Sequence, residues 1–311
     1  MRLLQLLKML STPLRAYALL TIIYFGLVLF LPANKIVMSI YNLDAAQYHI
    51  LLFAILAPYV LIWFAAFYGY AKLRDYAALI KTTTEGEEFS SLSTGLKWLA
   101  YGMPIISIIS IILNTISNDH RGFHSTAIII NNYLGLLVPL IGFTIVSIGS
   151  RGLTTISNIK ASLSQSKVII MVFVLLGVLY CFLTFRHFDL QSIGSTNNPY
   201  FLPLWLMLLT ITIPFLYSWF IGLLAGYELI LYSRHVDGHI YKQALKLIGY
   251  GIVVVIVSFI ALQYVSAILP RRGYLSLNAS LVISYIVRAV MVGGFMAIAF
   301  GAKKLKRIEE V

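Results

Sequence analysis

Cysteine is almost absent from this 311-residue chain: Cys181 stands alone. A single thiol cannot form an intramolecular disulfide or a cysteine-based metal cluster, and inside an apolar stretch it reads as a buried, inert side chain. Charge is scarce too. Asp, Glu, Lys and Arg make up 11% of the residues, where an ordinary soluble domain is roughly a quarter charged. Acids are the scarcer sign, 11 against 23 Lys and Arg, and Glu228 is the only one placed within a long apolar stretch. That argues against a carboxylate proton relay and against an acid-based intramembrane hydrolase.

Catalytic signatures are missing as well. The chain has no Walker A loop, G-x-S-x-G elbow, H-E-x-x-H or kinase motif, so the reading leans away from an enzyme and calls for no cofactor. Two histidine groups, Asp119-His120-His124 and His235-Asp237-His239, have metal-like composition. Each carries a glycine between its histidines and falls in a polar connection, so they read as solvated loop residues rather than metal ligands. No intramembrane histidine pair suits a haem.

What the chain does have is apolar length. Sixty per cent of its residues are hydrophobic and mean hydropathy is +0.89. About 20 helical residues cross a hydrocarbon layer of about 30 Å. Eight stretches qualify: 16–36, 48–72, 95–117, 125–149, 166–185, 199–232, 243–269 and 276–302. The expected fold is an all-α polytopic membrane bundle of about eight helices, with no soluble domain between them.

The net charge of +12 is a matter of topology. If the chain crosses eight times, 17 Lys and Arg fall on the side of the termini and five on the other, with Arg288 left inside a helix. The positive-inside rule then puts both termini in the cytoplasm of a cell-membrane protein, and no nucleic-acid partner is needed to explain the charge. The opening "MRLLQLLKMLSTPLR" starts like a signal peptide, but the following apolar stretch is too long and lacks a small-residue cleavage site. It reads as a retained anchor, with residues 2–12 suited to an amphipathic helix in the interface.

Internal similarity suggests duplication. "PYVLIWF" at 58–64 matches "PFLYSWF" at 214–220, "LKWLAYG" at 96–102 matches "LKLIGYG" at 245–251, and "YLGLLVPLIGF" at 133–143 matches "YIVRAVMVGGF" at 285–295. The offsets are 156, 149 and 152 residues. Three collinear blocks imply two four-helix repeats, residues 1–155 and 156–311. Because four is even, the copies share one orientation across the membrane, related by a pseudo-two-fold axis along its normal.

Two features carry the functional expectation. Pro58 and Pro214 each lack an N–H, leaving the carbonyls of Ala54 and Thr210 without a helical partner, so they are candidate hinges beside a central cavity. Arg288 lies fifteen residues before Lys303, about 22 Å along a helix, where a charge costs about 2.5–3.5 kcal/mol on the insertion scale. Its counterpart in the first copy is Leu136. Glu228 is too near the membrane edge to pair with it, so Arg288 is expected to sit with Asn131, Asn132, Tyr133, Ser284 and Tyr285 in a polar ligand-binding cluster. The acidic stretch "TTTEGEE" at 82–88 reads as a solvated connection.

The leading expectation is a protein that binds or transports a small or amphiphilic, anionic solute through a cavity between the repeats, its other partner being the lipid bilayer. The alternative is a membrane-embedded sensor or scaffold. There the tail "GAKKLKRIEEV" engages a cytoplasmic protein partner.

Overall fold

The computed structural model describes residues 10–30, 45–119, 124–157, 171, 213–263 and 277–310. Among them are seven helices and no strand: α1 (Thr12–Phe30), α2 (Ala45–Leu79), α3 (Gly86–Asp119), α4 (His124–Ile156), α5 (Ile213–His235), α6 (His239–Gln263) and α7 (Leu277–Glu309). All seven are long and apolar enough to cross a membrane. They correspond to seven of the eight expected stretches. The remaining one, 166–185 with Cys181, lies outside the described residues apart from Met171, as do residues 1–9, most of the polar linker and the segment before Ile213.

Six helices close into a ring in which each packs on two neighbours: α2 on α3, α3 on α4, α4 on α5, α5 on α6, α6 on α7, and α7 back on α2. Helix α1 stands outside the ring against α2 and α3. There Tyr24 meets Trp63 edge-to-face at 4.9 Å, and the Tyr17 hydroxyl donates to the Val60 carbonyl at 3.4 Å. The core runs through the ring and includes Phe67, Phe143, Trp219, Ile256 and Phe295, each at most 2% exposed. Many apolar side chains remain exposed on the outer faces, among them Ile22, Leu61, Ile148, Val257 and Ile286. A surface of that kind suits lipid rather than water.

Close helix approach has a local cause at two places. A Cβ on Gly95 would fall 2.6 Å from the Gly142 carbonyl oxygen, and one on Gly251 would fall 2.6 Å from that of Gly294. Only glycine lets these backbones meet, the usual role of small residues between membrane helices.

The α2–α3 connection differs from the expectation. Instead of a long polar loop after residue 72, both helices continue, leaving a turn over residues 80–85. Leu73, Tyr76, Ala77 and Ile80 recur at helical spacing and are buried, as are Phe89, Leu92 and Leu96 on α3. The interspersed Lys72, Arg74 and Asp75 lower the mean hydropathy there without breaking the helix. An apolar-run criterion therefore stops two turns too early, whereas an amphipathic reading carries on.

The turn is closed by Thr83 N–H to the Ile80 carbonyl at 2.9 Å and Gly86 N–H to the Thr83 carbonyl at 3.0 Å. The Glu85 carbonyl accepts from Phe89 N–H at 3.1 Å, and Glu87 and Glu88 occupy the first turn of α3, where negative charge complements the helix dipole. Between α5 and α6, Gly238 adopts φ 90°, a left-handed conformation that favours glycine.

Candidate functional site: an arginine in an apolar cavity

Three helices of the first half and two of the second enclose a cavity of about 320 Å³. Each presents one face, with residues spaced by three or four. Helix α2 contributes Tyr59, Ile62 and Trp63; α3 contributes Met103, Ile106 and Ser107; α4 contributes Gly135, Val138 and Pro139. Phe259 and Leu262 come from α6, Arg288 and Met291 from α7. Prolines gather at this level. Tyr59 follows Pro58, Met103 precedes Pro104, and Pro139 itself lines the wall. Pro139 lacks an N–H, so the Gly135 carbonyl loses its usual i+4 partner within the lining of the cavity.

Among the described residues Arg288 is the cavity's one cation. Its Nη2 donates to the Tyr59 hydroxyl at 2.7 Å, and the guanidinium carbon lies 4.3 Å from the Tyr59 ring centroid. The aromatic quadrupole offsets part of the cost of holding the charge there. The rest is not compensated. Arg288 Nε is buried with no hydrogen-bond partner, and among the described residues no carboxylate lies within ion-pair distance. Ser107 donates to the Met103 carbonyl at 2.9 Å, which leaves its oxygen as an acceptor in the wall.

Glu228 is engaged elsewhere. It is 7% exposed on α5 and accepts from Arg151 Nε on α4 at 3.3 Å, while its second oxygen is buried without a partner. Its ion-pair partner is thus Arg151 and not Arg288.

Of the other expected site residues, Ser284 is buried one turn before Arg288 on α7, and Tyr133 and Tyr285 are half-buried on α4 and α7. None of these three is among the lining residues of the cavity. The side chains of Asn131 and Asn132 lie outside the described residues. Pro58 is inside α2, whereas Pro214 is the second residue of α5 as described, and Thr210 lies outside the described residues. Tyr59, the actual partner of Arg288, is a residue sequence reasoning passed over. Its position beside Pro58 was the available signal.

A second polar site lies at the opposite end, where the basic residues gather. Glu85 is no solvated loop residue. Its Oε1 accepts from the Tyr232 hydroxyl at 2.5 Å and its Oε2 from the Tyr241 hydroxyl at 2.9 Å. Tyr241 has thereby committed its own hydrogen, so Tyr76 donates to Tyr241 across 3.1 Å. Glu85, Tyr241 and Tyr76 border an open cavity of about 580 Å³ that Asp237, His239, Ile308 and Glu309 also line. His235 Nδ1 lies 3.0 Å from the Leu231 carbonyl, and His239 contacts Gln243. Among the described residues no group of three or more His, Cys, Asp or Glu is arranged to hold a metal. The side chains of Asp119, His120 and His124 lie outside the described residues.

Comparison of the chain with models of known protein families, with curated proteins and with solved structures returns no match.

Proposed function

We propose that this chain is a multi-pass cell-membrane protein that binds and moves a small or amphiphilic anionic solute through the Arg288 cavity, with both termini in the cytoplasm. The observation that carries this reading is an uncompensated guanidinium in a largely apolar cavity. An intramembrane charge without a counter-ion marks a ligand or ion path by default, and a concave apolar site with few polar groups is the usual form of a small-molecule site. The cavity is at the end of the bundle away from the basic cluster, hence facing outward under the positive-inside rule. Buried Phe143 and Phe295 stand one turn beyond the lining residues Pro139 and Met291 toward the basic end, where Glu85 ties α3 to α5 and α6. This is the arrangement expected of an outward-facing, inward-closed carrier.

A duplicated 4+4 architecture supports the same reading. Pairing α2 with α5, α3 with α6 and α4 with α7 maps every neighbour contact of the ring onto another. Trp63 and Trp219, 156 residues apart, are both 2% exposed, and the close pairs Gly95–Gly142 and Gly251–Gly294 fall at offsets of 156 and 152. The α3/α6 packing thus follows the offset of the proline block, one heptad away from the "LKWLAYG" match. At these offsets Tyr59 corresponds to Phe215 and Arg288 to Leu136, so both members of the polar pair are apolar in the other copy. A charge needed only for helix packing would have no reason to be confined to one copy together with its tyrosine partner.

Single cysteines at positions 107, 135 and 288 in a Cys181→Ser background test the reading. A membrane-impermeant thiol reagent should label them from the outer side only, while a cysteine at 237 labels from the cytoplasm. Protection of all three, with the 237 control reacting, would sink the transport reading. The second reading, a sensor or scaffold, draws on the basic-end cavity lined by Ile308 and Glu309 of the helical tail. Deleting residues 303–311 should then abolish capture of a cytoplasmic partner, whereas a carrier would keep its solute binding.

A further inference from the structure

We infer that the Arg288 cavity selects an organic monocarboxylate, a ligand with one ionised carboxyl group, an apolar body and no cationic group. The inference rests on the reading of this cavity as a ligand site.

The argument is an inventory of charge and hydrogen-bonding capacity. A guanidinium has five N–H bonds. One is given to Tyr59, Nε is buried without a partner, and no other hydrogen bond from the guanidinium is made among the described residues. Tyr59, having accepted from Arg288, keeps its own O–H to donate. The site therefore offers a fixed positive charge and adjacent N–H and O–H donors, which a planar two-oxygen anion matches.

The charge must be single. Among the described residues Arg288 is the only cationic side chain lining the cavity, so a second negative charge on the ligand would be removed from water without a partner there. Zwitterions fail for the complementary reason. The acceptors in the wall, Ser107 Oγ and the Gly135 carbonyl, are neutral, and among the described residues no carboxylate lines the cavity to meet an ammonium group. A hydroxyl on the ligand would be tolerated. The body must be apolar because the remaining wall is made of side chains such as Trp63, Phe259 and Met291, and about 320 Å³ is at the lower end of the range for ligand sites.

The same carboxylate chemistry could arrive from water, as a small aromatic or branched acid, or from the bilayer, as a fatty acid. The full chain in uncharged lipid nanodiscs distinguishes these sources. Binding of phenylacetate would be measured by calorimetry against its amide, phenethylamine, phenylalanine and phenyl phosphate at a pH where the last is a dianion. A long-chain fatty acid dissolved in the disc would be tested separately as a competitor.

Phenylacetate is expected to saturate one site at least tenfold more tightly than each of the four analogues. Arg288→Gln should weaken it at least tenfold and Tyr59→Phe about three- to tenfold, with both variants monodisperse and thermally unfolding as the parent does. Competition by the fatty acid at low mole fraction, with weak binding of phenylacetate itself, would assign the same carboxylate site to a lipid-borne acid. Equal or tighter binding of phenylalanine, phenyl phosphate or the amide would overturn the monocarboxylate assignment while leaving the ligand site standing, provided that binding is lost when Gly135→Trp fills the cavity. Absence of binding by any of the probes would overturn both.

Discussion

Glu85, in the turn between α2 and α3, accepts a 2.9 Å hydrogen bond from the Tyr241 hydroxyl on α6, 156 residues further along the chain. With Tyr232 on its other oxygen, this one carboxylate ties the first half of the chain to two helices of the second. Phenols rather than lysines hold it, although basic residues crowd the same end of the bundle.

Glu85→Ala should therefore leave two tyrosine hydroxyls without their acceptor. Hydrogen bonds to charged groups contribute about 1.5–3 kcal/mol each, so a loss of about 2–4 kcal/mol is expected in detergent unfolding. Tyr241→Phe should cost about 1–2 kcal/mol in the parent and much less once Glu85 is gone. A double-mutant cycle reads this coupling directly, and strictly additive losses would show that the network contributes nothing as a unit.

Arg288 stands in the opposite energetic position, because its charge is uncompensated. Replacing it with Met removes a burial cost of about 2.5–3.5 kcal/mol and forfeits one hydrogen bond and one cation–π contact to Tyr59. Arg288→Met is expected to keep or raise the unfolding midpoint while abolishing solute binding. A marked drop in the midpoint would identify Arg288 as a packing residue instead.

The Glu228–Arg151 pair joins a buried carboxylate to an arginine whose side chain is 58% exposed. Arg151→Ala strands the carboxylate and should destabilise by about 1–3 kcal/mol, below the range for fully buried pairs because water already screens the arginine. Glu228→Gln should be nearly neutral alone and should recover most of the loss when combined with Arg151→Ala. If the double variant is as unstable as Arg151→Ala, burial of unpaired charge is not the cause.

Glycines separate packing from function. A Cβ on Gly135 would meet nothing within 4 Å, although the residue lines the cavity, whereas one on Gly95 would strike the Gly142 carbonyl. Gly135→Leu should fold normally and lose binding at least tenfold through occlusion. Gly95→Leu should cost about 3 kcal/mol or more, as overpacking at a backbone contact does. Thermal unfolding and solute binding measured on the two variants should rank them in opposite order.

The apolar stretches alone determined that the chain is helical, roughly where seven described helices lie, and that Arg288 would be a charge within one of them. These follow from helix rise and the cost of charge in hydrocarbon, which depend on local sequence and depth. Contacts between helices were not available by that route. Tyr59 meets Arg288 across 229 positions, and Glu85 meets Tyr232 and Tyr241 across 147 and 156. Only the rotation of each helix about its own axis, and the closure of the ring by α7 on α2, decided those pairs. In a chain that is apolar nearly all round its helices, the hydrophobic pattern carries little information about rotation. Small residues, prolines and the few polar side chains set it once the helices pack.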